Sequence, residues 1–406
     1  MKRVVITGMG VISPLGNSVS ALMGSLAAGT SAVQYMEGWT AYKGLRSLVA
    51  APAQPVDEKK IPRQNRRSMG RLAVFAVLAA EQAVADAGMS SEELTGGRTG
   101  CVVGSTMGSA GSINETFEQM LPARDLSNLT SMKFFQCVSH TAAMNISQYM
   151  GICGTVLATS AACASGLQAV GTGFDLIRAG RQDCVLCGGA EELHPTVTGS
   201  FDVLYATSTK FNESPKKTPR PFDRDRDGLV CGEGGGILIL EDYDRAVARG
   251  AKIYAEILGY NTCASGVHVS QSDAQAMVRC LRDVLTDSHL QAGEVDYISA
   301  HATATLHGDI EEADAVRGIF GDRVPVSSLK GYMGHTLGAS GAIELIAALK
   351  MMEQNIIYPT LNLENIDPAC AGIQHVLTPL HKPVNTIIKN SFAFGGINAA
   401  LACRKI

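Results

Sequence analysis

The stretch Val156-Leu157-Ala158-Thr159-Ser160-Ala161-Ala162-Cys163-Ala164-Ser165-Gly166-Leu167 decides how the rest of this chain is read. An apolar, β-branched start predicts a strand over 156–159. Small residues follow, the chain turns at the cysteine, and a helical pattern runs from Ser165 to about Gly180. At such a junction Cys163 faces the orphan N–H groups and positive dipole of a helix N-terminus, which stabilise a thiolate. Thiols placed this way lie a unit or more below the free value of roughly 8.5 and act as nucleophiles near neutral pH. The competing reading is a buried structural thiol, the ordinary fate of a free cysteine.

Outward from this elbow, strand and helix patterns alternate. Strands are predicted over 4–7, 100–104, 183–188 and 232–241, with helices over 69–88 and 242–249. Strands over 253–259, 295–300, 324–327 and 386–391 follow, with helices over 274–288, after Asp309 and over 338–354. This rhythm predicts an α/β architecture with mostly parallel sheets. A break at Val247-Ala248-Arg249-Gly250 divides the chain into an N-terminal half, 1–250, and a C-terminal half, 251–406. Each half has a strand ending in a reactive-looking loop, which suggests duplication.

Composition narrows the function classes. In 406 residues, 34 basic and 38 acidic side chains leave a net charge of −4, so no pull toward nucleic acid or anionic membrane is expected. No run reaches the roughly 18 apolar residues of a membrane span. The start, Met1-Lys2-Arg3-Val4-Val5-Ile6-Thr7-Gly8, reads as a strand rather than a signal peptide, and a cytoplasmic location is expected. The cysteines number 11, an odd count in a long, non-secretory chain, so reduced thiols are expected. Cys184-x-x-Cys187 falls in a buried strand pattern and has no second pair to complete a zinc site.

Three loops of the second half supply chemistry that matches Cys163. Tyr297-Ile298-Ser299-Ala300-His301-Ala302-Thr303-Ala304-Thr305 ends a strand in a histidine. Lys330-Gly331-Tyr332-Met333-Gly334-His335 sets a histidine between small residues ahead of a helix. Asn390-Ser391-Phe392-Ala393-Phe394-Gly395-Gly396-Ile397-Asn398 ends a strand in two phenylalanines and a glycine pair. Active sites of open α/β sheets gather at strand carboxyl ends, so Cys163, His301 and His335 form a candidate Cys/His/His constellation.

From its start to Asn398 the chain resembles the elongating, two-histidine β-ketoacyl-[acyl-carrier-protein] synthases and polyketide ketosynthases. Arg220-Pro221-Phe222-Asp223 through Gly232-Glu233-Gly234 adds to the match. The resemblance implies a thiolase-like fold, two similar α/β halves stacked as a five-layered α-β-α-β-α sandwich, usually as a homodimer. It implies that Cys163 carries the acyl group and that His301 and His335 serve the decarboxylation of malonyl-carrier protein. It also implies that Cys163 and Phe394 N–H groups form an oxyanion hole, that Phe392 and Phe394 belong to a gate, and that Lys330 pairs with Glu344. The reaction implied is decarboxylative Claisen condensation in fatty acid or polyketide-type elongation. Substrates would ride on the phosphopantetheine of acyl carrier protein, with no metal or cofactor.

Zinc at Cys163, His301 and His335 is disfavoured by Lys330 nearby in sequence. A thiolase would need a second cysteine in the last loop, where Phe392 and Phe394 stand, and starter condensing enzymes have asparagine where His335 stands. A chain-length factor would lack the nucleophile, although a specialised ketosynthase could need such a factor as a heterodimer partner. Ala302, Ala393 and Ile397 depart from the usual pattern, and His307 is an extra histidine that reads as structural. Met107 and Phe201 are candidates for the acyl pocket, with ordinary packing as the alternative. Lys59, Lys60, Arg63, Arg66, Arg67 and Arg71, in a stretch without acidic residues, form a candidate docking patch for acidic carrier protein.

Overall fold

The computed structural model describes residues 1–269 and 271–406. Eleven strands form its main sheet: β1 (Val4–Ile12), β2 (Thr99–Gly104), β3 (Val156–Leu157), β4 (Cys184–Glu191), β5 (Gly234–Asp242), β6 (Ala255–Ala264), β7 (Tyr297–Ser299), β8 (Pro325–Ser327), β9 (Gln374–His375), β10 (Thr386–Ala393) and β11 (Ile397–Arg404). Their order is β9-β8-β7-β10-β11-β6-β1-β5-β4-β2-β3. Outward from the β1–β6 junction, one side runs β1, β5, β4, β2, β3 and the other β6, β11, β10, β7, β8. The pairing directions match step for step: antiparallel, antiparallel, parallel, parallel. The suggested duplication is therefore a topological fact, and the halves join where Val4–Ile6 pair antiparallel with Ala255–Ile257.

The expectation of mostly parallel sheets needs correction, because antiparallel pairs are as numerous as parallel ones. The last strand of each half inserts beside the first and opposes both its neighbours. In the second half, Phe394-Gly395-Gly396 makes the reversal, with φ of +88° and +74° at the two glycines, a conformation glycine adopts without steric cost.

Five helices build the other layers: α1 (Arg71–Ala87), α2 (Ser165–Arg178), α3 (Ala274–Asp287), α4 (Leu306–Phe320) and α5 (Ser340–Gln354). α1 ends at Gly88 in the left-handed conformation, a common C-cap. α2 and α5 form the middle layer between the two half-sheets, and α5 is buried on nearly every side, as an all-round apolar helix must be. Glycine sets how closely this layer packs: a Cβ at Gly189 would lie 2.1 Å from the Gly338 carbonyl oxygen, and one at Gly166 2.5 Å from it. The observed architecture is the five-layered sandwich.

Element ends differ from the sequence expectations for local reasons. The strand expected over 156–159 is only Val156–Leu157, an edge strand with both side chains exposed, because it has a strand neighbour on one side alone. The strand predicted to end at Gly259 continues to Ala264, held by β11 on one side. The helix expected after Asp309 begins at Leu306. All 11 cysteines are free thiols, with Cys184 and Cys187 buried in β4.

Candidate active site

Cys163 sits at a tight turn into α2. Ala164 N–H donates to Ala161 O (3.1 Å) and Ser165 N–H to Ala162 O (3.0 Å), while Ala162 takes a φ of +48°. Strain of this kind persists only where surroundings enforce it and concentrates at functional sites. Here the Ser165 hydroxyl enforces it, accepting from Ala161 N–H (2.8 Å) and donating to Ala162 O (2.6 Å). The result is a cysteine that is 2 % exposed.

That burial corrects the expected low thiol pKa. Loss of water pushes the Cys163 thiol up to about 12, with Lys330 the main opposing influence. Desolvation disfavours the thiolate more than the helix terminus favours it. At rest Cys163 is therefore a neutral thiol.

Two histidines stand ready beside it. His301 follows β7, its N–H donating to Glu312 Oε1 (2.8 Å) while Ala302 N–H donates to Glu312 Oε2 (2.6 Å). His335 is pinned through its backbone, its N–H donating to Val230 O (2.7 Å) and its carbonyl accepting from Gly232 N–H (2.8 Å). The ring centroids are 5.1 Å apart at 83°. The Cys163 sulfur and one ring nitrogen of each histidine lie within 4.8 Å of one another. Nδ1 of His301 and both ring nitrogens of His335 are buried without a partner. Such orphaned groups cost stability and call for a functional reason. Burial, then the charges of Lys330 and Lys389, hold both imidazoles well below the ordinary 6.5, so both are neutral.

Lys330 Nζ donates to Glu344 Oε1 at 2.7 Å, the pair implied by the resemblance. The sequence reading missed a second cation on the same carboxylate: Lys389 Nζ lies 2.6 Å from Glu344 Oε2, fully buried. In Thr386-Ile387-Ile388-Lys389-Asn390-Ser391 a lone lysine reads as solvent-facing. The available signal was its place in a strand flanked by others, where no face meets water. Glu312 was also missed, although it cradles the His301 loop.

The cavity is lined by Cys163, His301, His335, Phe392 and Phe394 together with Leu229, Ser272, Met277, Thr303 and Thr305. Phe201 is not among its lining residues but packs against Phe394, centroids 6.0 Å apart. Met107 is 43 % exposed, away from this cavity, its N–H donating to Glu191. His307 is exposed on α4. Ala393 ends β10 in extended conformation, so alanine there carries no backbone strain. In the basic stretch Arg71 is occupied by buried Glu233, with contacts of 2.9 and 2.5 Å. Lys59, Lys60, Arg63 and Arg67 are exposed, and Arg66 is half-buried.

Comparison with known proteins gives a consistent result. The family described as beta-ketoacyl synthase, N-terminal domain, matches residues 1–246, and its C-terminal domain matches residues 254–364. The chain is 35% identical to 3-oxoacyl-[acyl-carrier-protein] synthase 1 of Haemophilus influenzae, covering 100% of this chain and 99% of that one. A beta-ketoacyl synthase structure from Burkholderia phymatum superposes with a TM-score of 0.97 at 44% identity, covering 100% of both chains. A type II polyketide ketosynthase solved with its acyl-carrier protein superposes at 0.91 and 31% identity, covering 100% of this chain and 99% of that one.

Proposed function

This chain belongs to the β-ketoacyl synthase family, and from that premise we propose that it is a condensing acyltransferase joining an acyl group to malonyl-[acyl-carrier-protein] to give β-ketoacyl-[acyl-carrier-protein]. The observation that carries this reading is the convergence of a buried neutral thiol with two neutral imidazoles, with Nδ1 of His301 and both ring nitrogens of His335 buried without a partner.

In the first half-reaction the Cys163 sulfur attacks the thioester carbonyl of a carrier-bound acyl group, and its proton passes to a neighbouring imidazole. The S–C bond to the enzyme forms, the bond to the phosphopantetheine sulfur breaks, and the proton leaves on the carrier thiol. In the second, the malonyl group loses CO2 and the electron pair collects as an enolate. The N–H groups of His301 and His335 stabilise its oxygen, where preorganised donors are worth most. The enolate carbon attacks the acyl-Cys163 carbonyl, and the thiolate leaves to regain a proton. The Cys163 and Phe394 N–H groups serve as the oxyanion hole.

The reaction requires no metal or cofactor. Cys163, His301 and His335 are zinc-ligand types, but two buried ammonium groups act on both imidazoles and repel a divalent cation. Acyl carrier protein docks on Lys59, Lys60, Arg63, Arg66 and Arg67, which are free to pair with its carboxylates, whereas Arg71 is committed to Glu233. The protein works as a homodimer in the cytoplasm. Exposed β3 and the neighbouring exposed Phe117, Leu121, Leu126 and Phe134 support a partner on that edge, since unpaired edges and apolar patches invite association. No helix among the described residues is long and apolar enough to cross a membrane.

The test is mass spectrometry of carrier-bound products after incubation with malonyl-carrier protein and saturated, unsaturated and aryl acyl-carrier proteins. A β-ketoacyl product two carbons longer is expected, and the preferred primer separates primary fatty acid from specialised synthesis. Acylation of Cys163 without extension of any primer would replace the homodimer with a heterodimer lacking its chain-length factor. Absence of Cys163 acylation would overturn the assignment.

A further inference from the structure

Lys389 is the buried charge that the reaction above leaves unused. Its ammonium lies 2.6 Å from Glu344 Oε2, donates to Asn390 O at 2.6 Å, and is 3.4 Å from both Ser299 O and Ala300 O. Those last two carbonyls immediately precede His301. Glu344 in turn holds Lys330 through its other oxygen, and Lys330 opens the segment leading to His335. One side chain therefore spans from the strand carrying the first histidine to the ion pair beside the second.

A fully buried ammonium is expensive unless paired and hydrogen-bonded, and an apolar side chain could fill the same space without that cost. Here one carboxylate is shared by two ammonium groups, so the cluster Lys330–Glu344–Lys389 carries a surplus positive charge. Its two ammonium groups act on both imidazoles through space. Other charged or titratable groups around them are Glu312 under the His301 loop, Glu191 and Cys163 on the α2 side, and Asp309 with Arg226 behind α4. Burial holds Glu191 up to about 6 and Asp309 up to about 7.

We propose that Lys389 is a positioning residue of the condensing site, clamping the His301 strand onto the Glu344–Lys330 pair and fixing the electrostatic setting of both histidines. A neutral imidazole can take the Cys163 proton and an imidazolium cannot. Two nearby cations, rather than one, keep proton affinity low at both rings, which extends the working range of the site toward acid. The same surplus charge favours the entry of an extender bearing a carboxylate.

The proposal rests on the condensing function, and the test separates the two. Lys389→Met and Lys389→Arg would be compared with the unaltered protein by histidine NMR titration and by the pH profile of Cys163 acylation. In the unaltered protein, neither His301 nor His335 should titrate near the ordinary 6.5. In K389M both should titrate about one pH unit higher than before, and the acid limb of acylation should move up equally. The loss should be confined to this acid limb, with acylation near normal at pH 8. K389R should restore the original profile.

A uniform loss at every pH in K389M, with the NMR titrations unmoved, would reduce Lys389 to a packing residue and overturn the proposal. So would failure of the arginine to rescue. Should K389M not fold, the titration of the unaltered protein still tests the proposal, because either histidine titrating near 6.5 overturns the proposed setting. If the histidines behave as expected but no condensation occurs, the functional reading fails while the role of Lys389 in setting the histidines stands.

Discussion

Cys163→Ala removes a sulfur from a closed pocket, with a small cavity cost of about 1 kcal/mol. The variant should fold and lose all acyl transfer, checked by intact-protein mass spectrometry after exposure to acyl-carrier protein. Acylation at another residue would displace Cys163 as nucleophile. Glu344 poses the opposite case. Its carboxylate is the shared partner of two buried ammonium groups, so Glu344→Gln leaves both short of a counter-charge. Removing one member of a buried ion pair costs about 3–5 kcal/mol, and a correspondingly lower Tm is expected. A Tm within a degree or two of the original would mean that water or another group compensates the lysines. The cluster of Cys163, His301 and His335 was legible in the sequence because each member follows a recognisable strand-to-loop pattern. Lys389 and Glu312 were not, since a strand lysine and a helix glutamate look like surface residues until the layers close over them.

At the scale of elements, the middle layer and the Phe392–Gly396 loop, the gate implied by the resemblance, respond to substitution in different ways. Gly189 lies where β4 meets the turn before α5, and a methyl group there would press on the Gly338 carbonyl at 2.1 Å. The clash is with backbone, which cannot rotate aside, so Gly189→Ala should cost at least the 1–3 kcal/mol typical of overpacking. Thermal unfolding checks it. In the gate the turn belongs to Gly395 and Gly396, whereas Ala393 is ordinary strand. Gly396→Ala would meet the Ser265 hydroxyl at 2.1 Å as well as strain the positive φ, and should lower condensation by about tenfold, a barrier increase of about 1.4 kcal/mol. Ala393→Gly should leave the turn intact and change the rate far less. Equal effects from both would show that the gate does not pivot on the glycine pair. Sequence periodicity located these elements but not their ends: β3 shrank to two residues because it lies at the sheet edge, where one neighbour is missing.

For the whole molecule, the buried histidines link folding to pH. His301 and His335 are held neutral in the fold, below the ordinary 6.5 that they regain when unfolded. The unfolded chain therefore binds more protons as pH falls below about 6.5, and stability decreases in that direction until the folded values are reached. His375, also lowered by burial, adds to the same slope. Glu191 and Asp309, raised by burial, take up protons in the fold and oppose this slope, so the check is the difference: replacing both histidines by asparagine should flatten the decline in Tm between pH 6.5 and 5. An unchanged slope in the double variant would place the acid sensitivity elsewhere. The sequence by itself determined the α/β class, the paired halves and the grouping of Cys163, His301 and His335, because strand–turn–helix junctions and glycine turns are local patterns readable along the chain. Only the tertiary structure decided the mixed pairing directions, the neutral resting thiol, the Lys330–Glu344–Lys389 cluster and the pairing of Arg71 with buried Glu233. Each depends on what residues distant in sequence bring alongside, and burial and charge pairing act through space rather than along the chain.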